Sequence, residues 1–358
     1  MMQAGPTGEY RVVQVHPTLR CNLRCHHCYS VSGPAQHGAL PTEVVARALT
    51  DLQSEGYNGV GISGGEPLLY DGLLRILAVA KAGPMITTVT TNGMLLTPAR
   101  AASLKGLVDL IAVSVDGPEE SHNRIRGSQH AFSGMLRGLQ ALRDEGIEFG
   151  LIFTLTIGNL HELGDVVALA AAEGASLVQV HPLEEVGRAA NDLPGAAPDD
   201  RELALAFLEV ARLRARYSDV AIHLDVADRM TLHESPERGF ADLERVVSLD
   251  APLAHVVSPV VIESDGTVVP VQHGFDHRFA IGNIVDEPMR DAANRWRRTH
   301  QEAFLILCRQ VYERNTPGSP TEPFFNWYGA ITRASSSFTG TFPETRTTGE
   351  SRLDRSAP

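Results

Sequence analysis

The chain has 358 residues, of which 43% are apolar and 21% charged, and its formal net charge is −12. This length allows one large domain or two compact ones, and the composition is that of an ordinary globular protein. An acidic total is a poor match for a phosphate backbone, which argues against general nucleic-acid binding. The sequence contains no apolar run of the roughly 18 residues that a membrane span needs, and residues 1–10 lack the features of a secretory signal. We therefore expect a cytoplasmic protein with neither nucleic-acid nor membrane partners.

The first half of the chain alternates short β-rich runs with longer helical patterns. The predicted strands are short and bounded by Gly, Asp or polar residues, and they lie at 11–16, 59–63, 85–91, 110–115, 149–156 and 177–181. Apolar residues recur at helical spacing between them, at 42–55, 72–81, 98–107, 131–145 and 160–173. This alternation predicts a parallel sheet built from βαβ units. Because six units are too few for a closed eight-fold barrel, we predict an α/β fold with a partial (β/α)6 TIM-like barrel at residues 9–190.

The second half has a different pattern. Gly, Pro, Ala and Asp cluster at 187–200 and indicate a break, after which 201–217 predicts an amphipathic helix and 220–226 a strand. Residues 260–263 and 267–271 alternate as strands do, around a Ser264-Asp265-Gly266 hairpin turn. We predict a linker and a small C-terminal α+β domain at 191–332, in which the aromatic residues at 324–328 anchor the C-terminal segment. Residues 333–358 are rich in Ser, Thr, Pro and charge, which predicts a disordered tail.

Three cysteines form a C-x3-C-x2-C motif directly after the first predicted strand. The four cysteines of the chain are Cys21, Cys25, Cys28 and Cys308. Three thiolates on one loop can ligate three irons of a cubane cluster and leave the fourth iron open to a substrate. The alternative is a structural zinc site with His26 or His27 as the fourth ligand, although zinc loops usually carry a second ligand pair further along. A tight trio favours metal or redox chemistry over disulfides.

This motif, with His27 and Tyr29 beside the third cysteine, resembles the radical S-adenosylmethionine (SAM) superfamily. The resemblance implies that Cys21, Cys25 and Cys28 hold one [4Fe-4S] cluster whose open iron chelates SAM. It further implies an enzyme that reductively cleaves SAM to a 5′-deoxyadenosyl radical, which abstracts hydrogen from a substrate carbon in oxidoreductase or lyase-type chemistry. The electron would come from a donor such as a flavodoxin or ferredoxin.

Polar residues follow the later predicted strands, where ligands bind in parallel sheets. Ser63-Gly64-Gly65-Glu66-Pro67 resembles the family's GGE motif, in which glycines permit close approach and Glu66 accepts from an ammonium. The resemblance implies that eleven residues lie near SAM or substrate: His27, Tyr29, Gly64, Gly65, Glu66, Asn92, Ser114, Asp116, Arg126, Thr154 and His181. Each has an ordinary alternative, such as turn chemistry for Asn-Gly and Asp-Gly, a helix-dipole role for the glutamate, or a structural role for the histidine. No catalytic acid or base is assigned.

Residues 261–284 resemble the core of a SPASM or twitch domain, a module that extends many peptide-modifying radical SAM enzymes. The family's cysteines before the Asp-Gly turn and after the proline are replaced here by Pro259 or Val260 and by Val271. We therefore expect a degenerate, cysteine-free SPASM-like domain that forms a wall of the substrate cleft. The remaining option for a second metal site would combine His273 and His277 with Cys308.

Two further segments bear on the substrate. Residues 122–127 and Gly187-Arg188-Ala189 resemble peptide-modifying members, so the sequence favours maturation of a ribosomally synthesised peptide. The first alternative is cofactor or haem-type tetrapyrrole biosynthesis, with a small-molecule substrate; a zinc-stabilised, non-catalytic binding protein is an alternative of another class. The negative net charge of the chain disfavours an RNA-modifying enzyme. Because no separate leader-peptide-binding domain precedes Arg11, a peptide would be recognised elsewhere or through a partner protein.

Overall fold

The computed structural model describes residues 10–240, 251–316, 322–340 and 342. Its strands are β1 Val12–Val15, β2 Gly59–Ile62, β3 Ile86–Thr91, β4 Leu110–Ser114, β5 Phe149–Leu155, β6 Leu177–Pro182, β7 Ala221–Leu224, β8 Ala227–Asp228, β9 Val260–Ile262, β10 Thr267–Pro270, β11 Gly282–Asn283 and β12 Phe324–Phe325. Its α-helices are α1 Thr42–Ser54, α2 Leu73–Ala82, α3 Pro98–Leu104, α4 Glu119–Arg126, α5 Ala131–Glu145, α6 Leu163–Glu173, α7 Ala189–Asp192, α8 Asp200–Arg216, α9 Arg229–Glu234, α10 Met289–Thr299, α11 Gln301–Asn315 and α12 Trp327–Ser336.

The large sheet has the strand order β11-β10-β9-β1-β2-β3-β4-β5-β6-β7. Strands β1 to β7 pair as parallel neighbours, which confirms the predicted partial barrel of βαβ units. The predicted run at 220–226 contributes β7, which extends the parallel part by one strand beyond the six expected. It joins this edge because Val220 and Ile222 are buried in the main core together with the apolar face of α8.

The C-terminal hairpin belongs to the same sheet. Strand β9 pairs parallel with β1, and β10 and β11 follow it in antiparallel pairing. The hairpin turn is as predicted, but its strands extend the barrel sheet and do not form a detached one. The proposed domain division at residue 190 stays a prediction, since the sheet continues across it.

Alternation along the strands separates the core from the inner face of the barrel. On β5, Leu151, Phe153 and Leu155 are buried in the main core with the helices, whereas Thr154 points to the other face and is half-buried. On β6, His181 lies on that second face as well. The carboxyl ends of the parallel strands therefore carry polar side chains into the barrel opening.

The C-terminal region differs from the prediction in one respect. Residues 333–336 are predicted to be disordered, but they form the last turn of α12. The reason lies beyond that turn, where Phe338 is buried against Phe279 and the Arg278 guanidinium donates to the carbonyls of Ser335 and Phe338. The predicted tail at 341 and 343–358 lies outside the described residues.

The aromatic anchor behaves as predicted, because Phe324, Phe325 and Trp327 are buried and β12 pairs with β8. Among the described residues, no helix is both long and apolar enough to cross a membrane.

Candidate functional site

The cysteine trio lies on the long loop between β1 and α1. Cys21 and Cys25 are buried and Cys28 is half-buried, all three are free, and they pack with Leu23 and Met94. Burial raises the pKa of Cys21 to about 12 and also raises the pKa of Cys25. As free thiols these groups stay protonated at neutral pH, so a bound metal would have to displace their protons.

The glycines after β2 bring the GGE loop into contact with the loop that carries the cysteines. A Cβ atom on Gly65 would lie 2.3 Å from the carbonyl oxygen of Arg20, and one on Gly64, at φ +94°, would lie 2.8 Å from Cβ of His16. The Gly65 amide donates to the carbonyl of Thr18 over 2.9 Å. The close approach expected at these glycines is therefore with the chain's own backbone.

Glu66 joins this loop to the end of β3. Its buried carboxylate accepts from the amides of Leu68 (3.1 Å) and Asn92 (3.0 Å) and from the Thr91 hydroxyl (2.8 Å). Burial raises the pKa of Glu66 in spite of these bonds. The Asn92 side-chain amide in turn donates over 2.9 Å to Asn22 on the cysteine loop. The structure thus supports the ordinary alternative for Glu66, a cap at the start of a short helix, and leaves its role toward SAM untested.

Asp116 and Arg126 form a buried ion pair beside the cysteines. Nε of Arg126 donates to Asp116 over 2.6 Å, and its Nη1 lies 3.8 Å from Sγ of Cys25. Burial alone would raise the pKa of Asp116, but the charges of Arg126, His27 and His122 hold it at about 2. Both groups were expected to face SAM; the structure pairs them with each other and brings the guanidinium to the second cysteine.

The remaining expected residues lie around this pair. Nε2 of His27 is 3.7 Å from Asp116, and its Nδ1 is buried without a hydrogen-bond partner in the described residues. Burial lowers the pKa of His27 to about 4. The Thr154 amide donates to Asp116 over 3.2 Å, and Ser114 ends β4 on the same face of the sheet. His181 is opposite Thr154 in the register between β5 and β6.

His181 has a partner that the sequence analysis did not identify. Its Nδ1 pairs with Asp225, which follows β7 and also accepts from the Gln179 side chain. Burial would raise the pKa of Asp225, but the neighbouring His181 holds it well below its ordinary value. The sequence analysis places Asp225 in a predicted strand, but only the pairing of β7 with β6 shows that this carboxylate lies beside His181.

A ring cluster connects the third cysteine to the C-terminal region. Tyr29 lies 5.6 Å from His16 and 5.3 Å from His273 between ring centroids, and its hydroxyl is 3.3 Å from Ser63. His273 approaches the buried carboxylate of Glu263, its Nδ1 lying 2.9 Å from Oε1. Tyr29, which is part of the cysteine loop, thus contacts the segment that follows β10.

The optional second metal site at His273, His277 and Cys308 is wrong. Both histidines contact Glu263, whereas Cys308 is buried within α11. In the described part of the chain, no three His, Cys, Asp or Glu side chains converge on a point where one metal ion would bind.

The same observation bears on the zinc alternative at the trio. A zinc site needs four ligands converging on one ion, and His26 instead places its Nδ1 2.9 Å from Asp192. A cubane spreads its ligand positions over separate corners, so three thiols on one loop fit it without converging on one point. The donor set therefore fits an iron–sulfur cluster, and a zinc-stabilised binding protein is not supported.

Arg188 is a further residue that sequence analysis named only as part of a motif. Its guanidinium donates to the carbonyls of Cys25 and Ser32, each over 2.6 Å, and its amide donates to the carbonyl of Cys28 over 2.9 Å. The preceding Gly187, at φ +59°, packs so closely that a Cβ atom would lie 2.0 Å from the carbonyl oxygen of Tyr29. The segment after β6 therefore holds the cysteine loop directly.

Residues 15–170 match the family model of the radical SAM superfamily. The Fe-coproporphyrin III synthase of Methanosarcina barkeri is 29% identical over 294 residues, which are 78% of this chain and 72% of that protein. The AdoMet-dependent heme synthase of Nitratidesulfovibrio vulgaris is 34% identical over 176 residues, 48% of each chain. The mycofactocin maturase MftC of Mycolicibacterium smegmatis is 32% identical over 193 residues, and the match covers 52% of this chain and 48% of that one. The chain thus spans about half the length of the last two relatives.

Solved structures share the fold. SuiB of Streptococcus suis bound to S-adenosylmethionine matches with a TM-score of 0.61 at 15% identity, over 79% of this chain and 65% of that one. A structure of anSMEcpe with bound AdoMet matches with a TM-score of 0.60 at 18% identity, over 91% of this chain and 92% of that one. Residues 15–170 thus form the part of the chain that matches the radical SAM superfamily, whose members use a [4Fe-4S] cluster and S-adenosylmethionine.

Proposed function

We propose that Cys21, Cys25 and Cys28 ligate the cluster and that SAM binds beside them, at the carboxyl ends of the parallel strands. When bound, the reduced cluster supplies the electron that splits SAM and releases a 5′-deoxyadenosyl radical. The support is local: the trio is on one loop, its thiols are free, and two of them are buried. The loop is held by the GGE segment on one side and by Arg188 on another.

The other expected residues receive roles in line with their contacts. Asp116 keeps the Arg126 guanidinium close to Cys25, where its positive charge favours the thiolate form of that ligand. Nδ1 of His27, which has no hydrogen-bond partner among the residues that the structure describes, is available to a polar group of SAM. Glu66 and Asn92 position the cysteine loop through Asn22.

The substrate site is proposed to be the inner face of the barrel, next to Thr154 and His181. The side chain of His181 is 45% exposed, and its pairing with Asp225 through Nδ1 fixes the ring and leaves Nε2 for a group of the substrate. The degenerate SPASM-like region closes this opening on one side, because Gln272 and Asn326 both donate to Glu184 after β6. Such a wall excludes water and stray reductants from a radical intermediate.

The substrate class that we propose first is a haem-type tetrapyrrole. The observation that carries it is the extent of the match to the Fe-coproporphyrin III synthase, which covers 78% of this chain, well beyond the barrel. The heme synthase match supports the same class over about half of the chain.

Maturation of a ribosomally synthesised peptide, which the sequence favoured, is the second candidate. It is supported by the mycofactocin maturase and by the sporulation killing factor maturation protein SkfB of Bacillus subtilis, 26% identical over 196 residues. Solved SuiB and anSMEcpe structures with bound peptides share the fold of this chain. A flavodoxin or ferredoxin as the electron donor, and a separate leader-peptide-binding protein, are proposed partners for this activity.

One anaerobic assay separates the candidates. The reconstituted protein is incubated with SAM and dithionite, either with a panel of haem-type tetrapyrroles that contains precursors of Fe-coproporphyrin III and Fe-coproporphyrin III itself, or with peptides encoded by short reading frames next to the gene. A tetrapyrrole substrate predicts a shift of the tetrapyrrole absorption on binding and a changed tetrapyrrole mass, with 5′-deoxyadenosine formed in step. A mass change in a peptide and none in the tetrapyrrole would reverse the order of the two candidates. A Cys25→Ala control should abolish product in either case.

A further inference from the structure

We propose that Arg188 is a positioning residue for the iron–sulfur cluster, which fixes the Cys25–Cys28 turn and supplies a buried positive charge that raises the reduction potential of the cluster. The inference rests on the proposed assignment of the three cysteines as ligands.

The first observation is the geometry of the guanidinium fork. Its two terminal nitrogens reach the carbonyls of Cys25 and Ser32, both at 2.6 Å, and so span the loop on either side of Cys28. The Arg188 amide adds a third bond to the carbonyl of Cys28. Planar guanidinium is suited to holding two acceptors at fixed positions, which a lysine ammonium on a flexible stem is not.

The second observation is the charge balance. Arg188 is 7% exposed, and among the described residues its side chain is bonded to carbonyls and not to a carboxylate. A buried cation is costly unless an anion compensates it. Thiolates and the cluster that they ligate would supply that negative charge, whereas the nearby Arg126 is already paired with Asp116.

The third observation is the position of Arg188 in the chain. It follows β6, the strand that carries His181, and it directly precedes the short helix α7, whose Asp192 contacts His26. The same segment therefore joins the proposed substrate side of the barrel to the cysteine loop at several points. A change in its position would be transmitted to the cluster through the Cys25 and Cys28 carbonyls.

The test compares Arg188→Gln and Arg188→Lys with the wild type, all reconstituted with iron and sulfide. The matched control is Arg212→Gln, because Arg212 is an exposed arginine of α8 that pairs with Glu209. The readouts are the midpoint potential of the cluster, its electron paramagnetic resonance spectrum with SAM, and the rate at which a ferrous chelator removes iron.

Arg188→Gln removes the charge and both guanidinium bonds. It should lower the midpoint potential and release iron at least about tenfold faster, as expected for the loss of hydrogen bonds from a charged donor. Arg188→Lys should keep a potential near that of the wild type while still losing iron faster. A purely structural role would lower the thermal midpoint of the apoprotein in both variants without moving the potential of the folded fraction.

Unchanged potential and iron release in Arg188→Gln would overturn the inference. If that variant does not fold, the lysine variant decides, and iron release at the wild-type rate would overturn it equally. A wild type that binds no iron would instead refute the ligand assignment itself.

Discussion

Replacing Asp116 with asparagine removes the charge that compensates Arg126 next to the cysteine loop. Asp116 is 1% exposed and Arg126 7%, so the variant leaves a guanidinium buried without its carboxylate. Breaking a buried pair by removing one partner costs about 3–5 kcal/mol. A carboxyl pKa lowered from 3.8 to about 2 corresponds to about 2.5 kcal/mol of stability at neutral pH. We therefore expect Asp116→Asn to lower the free energy of unfolding by about 3 kcal/mol.

The sign of the pH dependence follows from the lowered pKa. The stability that the Asp116 carboxylate contributes is fully present above about pH 4 and is lost as the pH falls through about 2. The Asp116→Asn variant should therefore be less stable than the wild type at neutral pH. Urea unfolding of the anaerobic apoprotein measures the difference. The matched control is Glu43→Gln, which also replaces a carboxylate with an amide, but in an exposed pair with Arg75. This substitution should leave the free energy of unfolding unaltered. A loss for Asp116→Asn no larger than that of the control would refute the reasoning.

Three further changes probe other parts of the site. Gly65→Ala places a Cβ atom 2.3 Å from the carbonyl oxygen of Arg20, so it should cost about 1–3 kcal/mol in unfolding and lower iron retention, and wild-type behaviour would contradict the close packing. Burial opposes the charge on Glu263, but its contacts with two histidines and a backbone amide hold its pKa at about 2. The wild type should therefore lose stability relative to Glu263→Gln as the pH falls from about 4.5 to 2. Parallel curves of unfolding free energy against pH for the two proteins would count against this. Cys308→Ala should keep the full iron content whereas Cys25→Ala should lose it, as measured by iron analysis, and iron loss in Cys308→Ala would implicate the buried thiol of α11.

The parts of the fold that were predictable depend on local pattern. Strands β1 to β6 and helices α1, α5 and α6 follow from apolar periodicity, because their core residues recur at the period of the element. Helix α4 was not predicted, since its sequence from Glu119 to Arg126 is largely polar and its buried residues include His122 and Arg126. Its stability comes from tertiary contacts that no local pattern reveals.

The site shows the same division. The identity and spacing of the three cysteines indicate their chemistry from the sequence alone. The partners of these polar residues could not be predicted, because Asp116 meets Arg126 only through helix α4, which the local pattern does not reveal, and His181 meets Asp225 only through the pairing of β6 with β7. Arg188 is part of a motif that the sequence reveals, but its hydrogen bonds to the cysteine loop depend on the path of the chain after β6.

The most direct test of the account is the iron and sulfide content of protein purified without oxygen, followed by addition of dithionite and SAM. One [4Fe-4S] cluster held by the three cysteines predicts about four irons per chain and release of 5′-deoxyadenosine, both lost in Cys25→Ala. A colourless protein that holds zinc and releases no 5′-deoxyadenosine would contradict it.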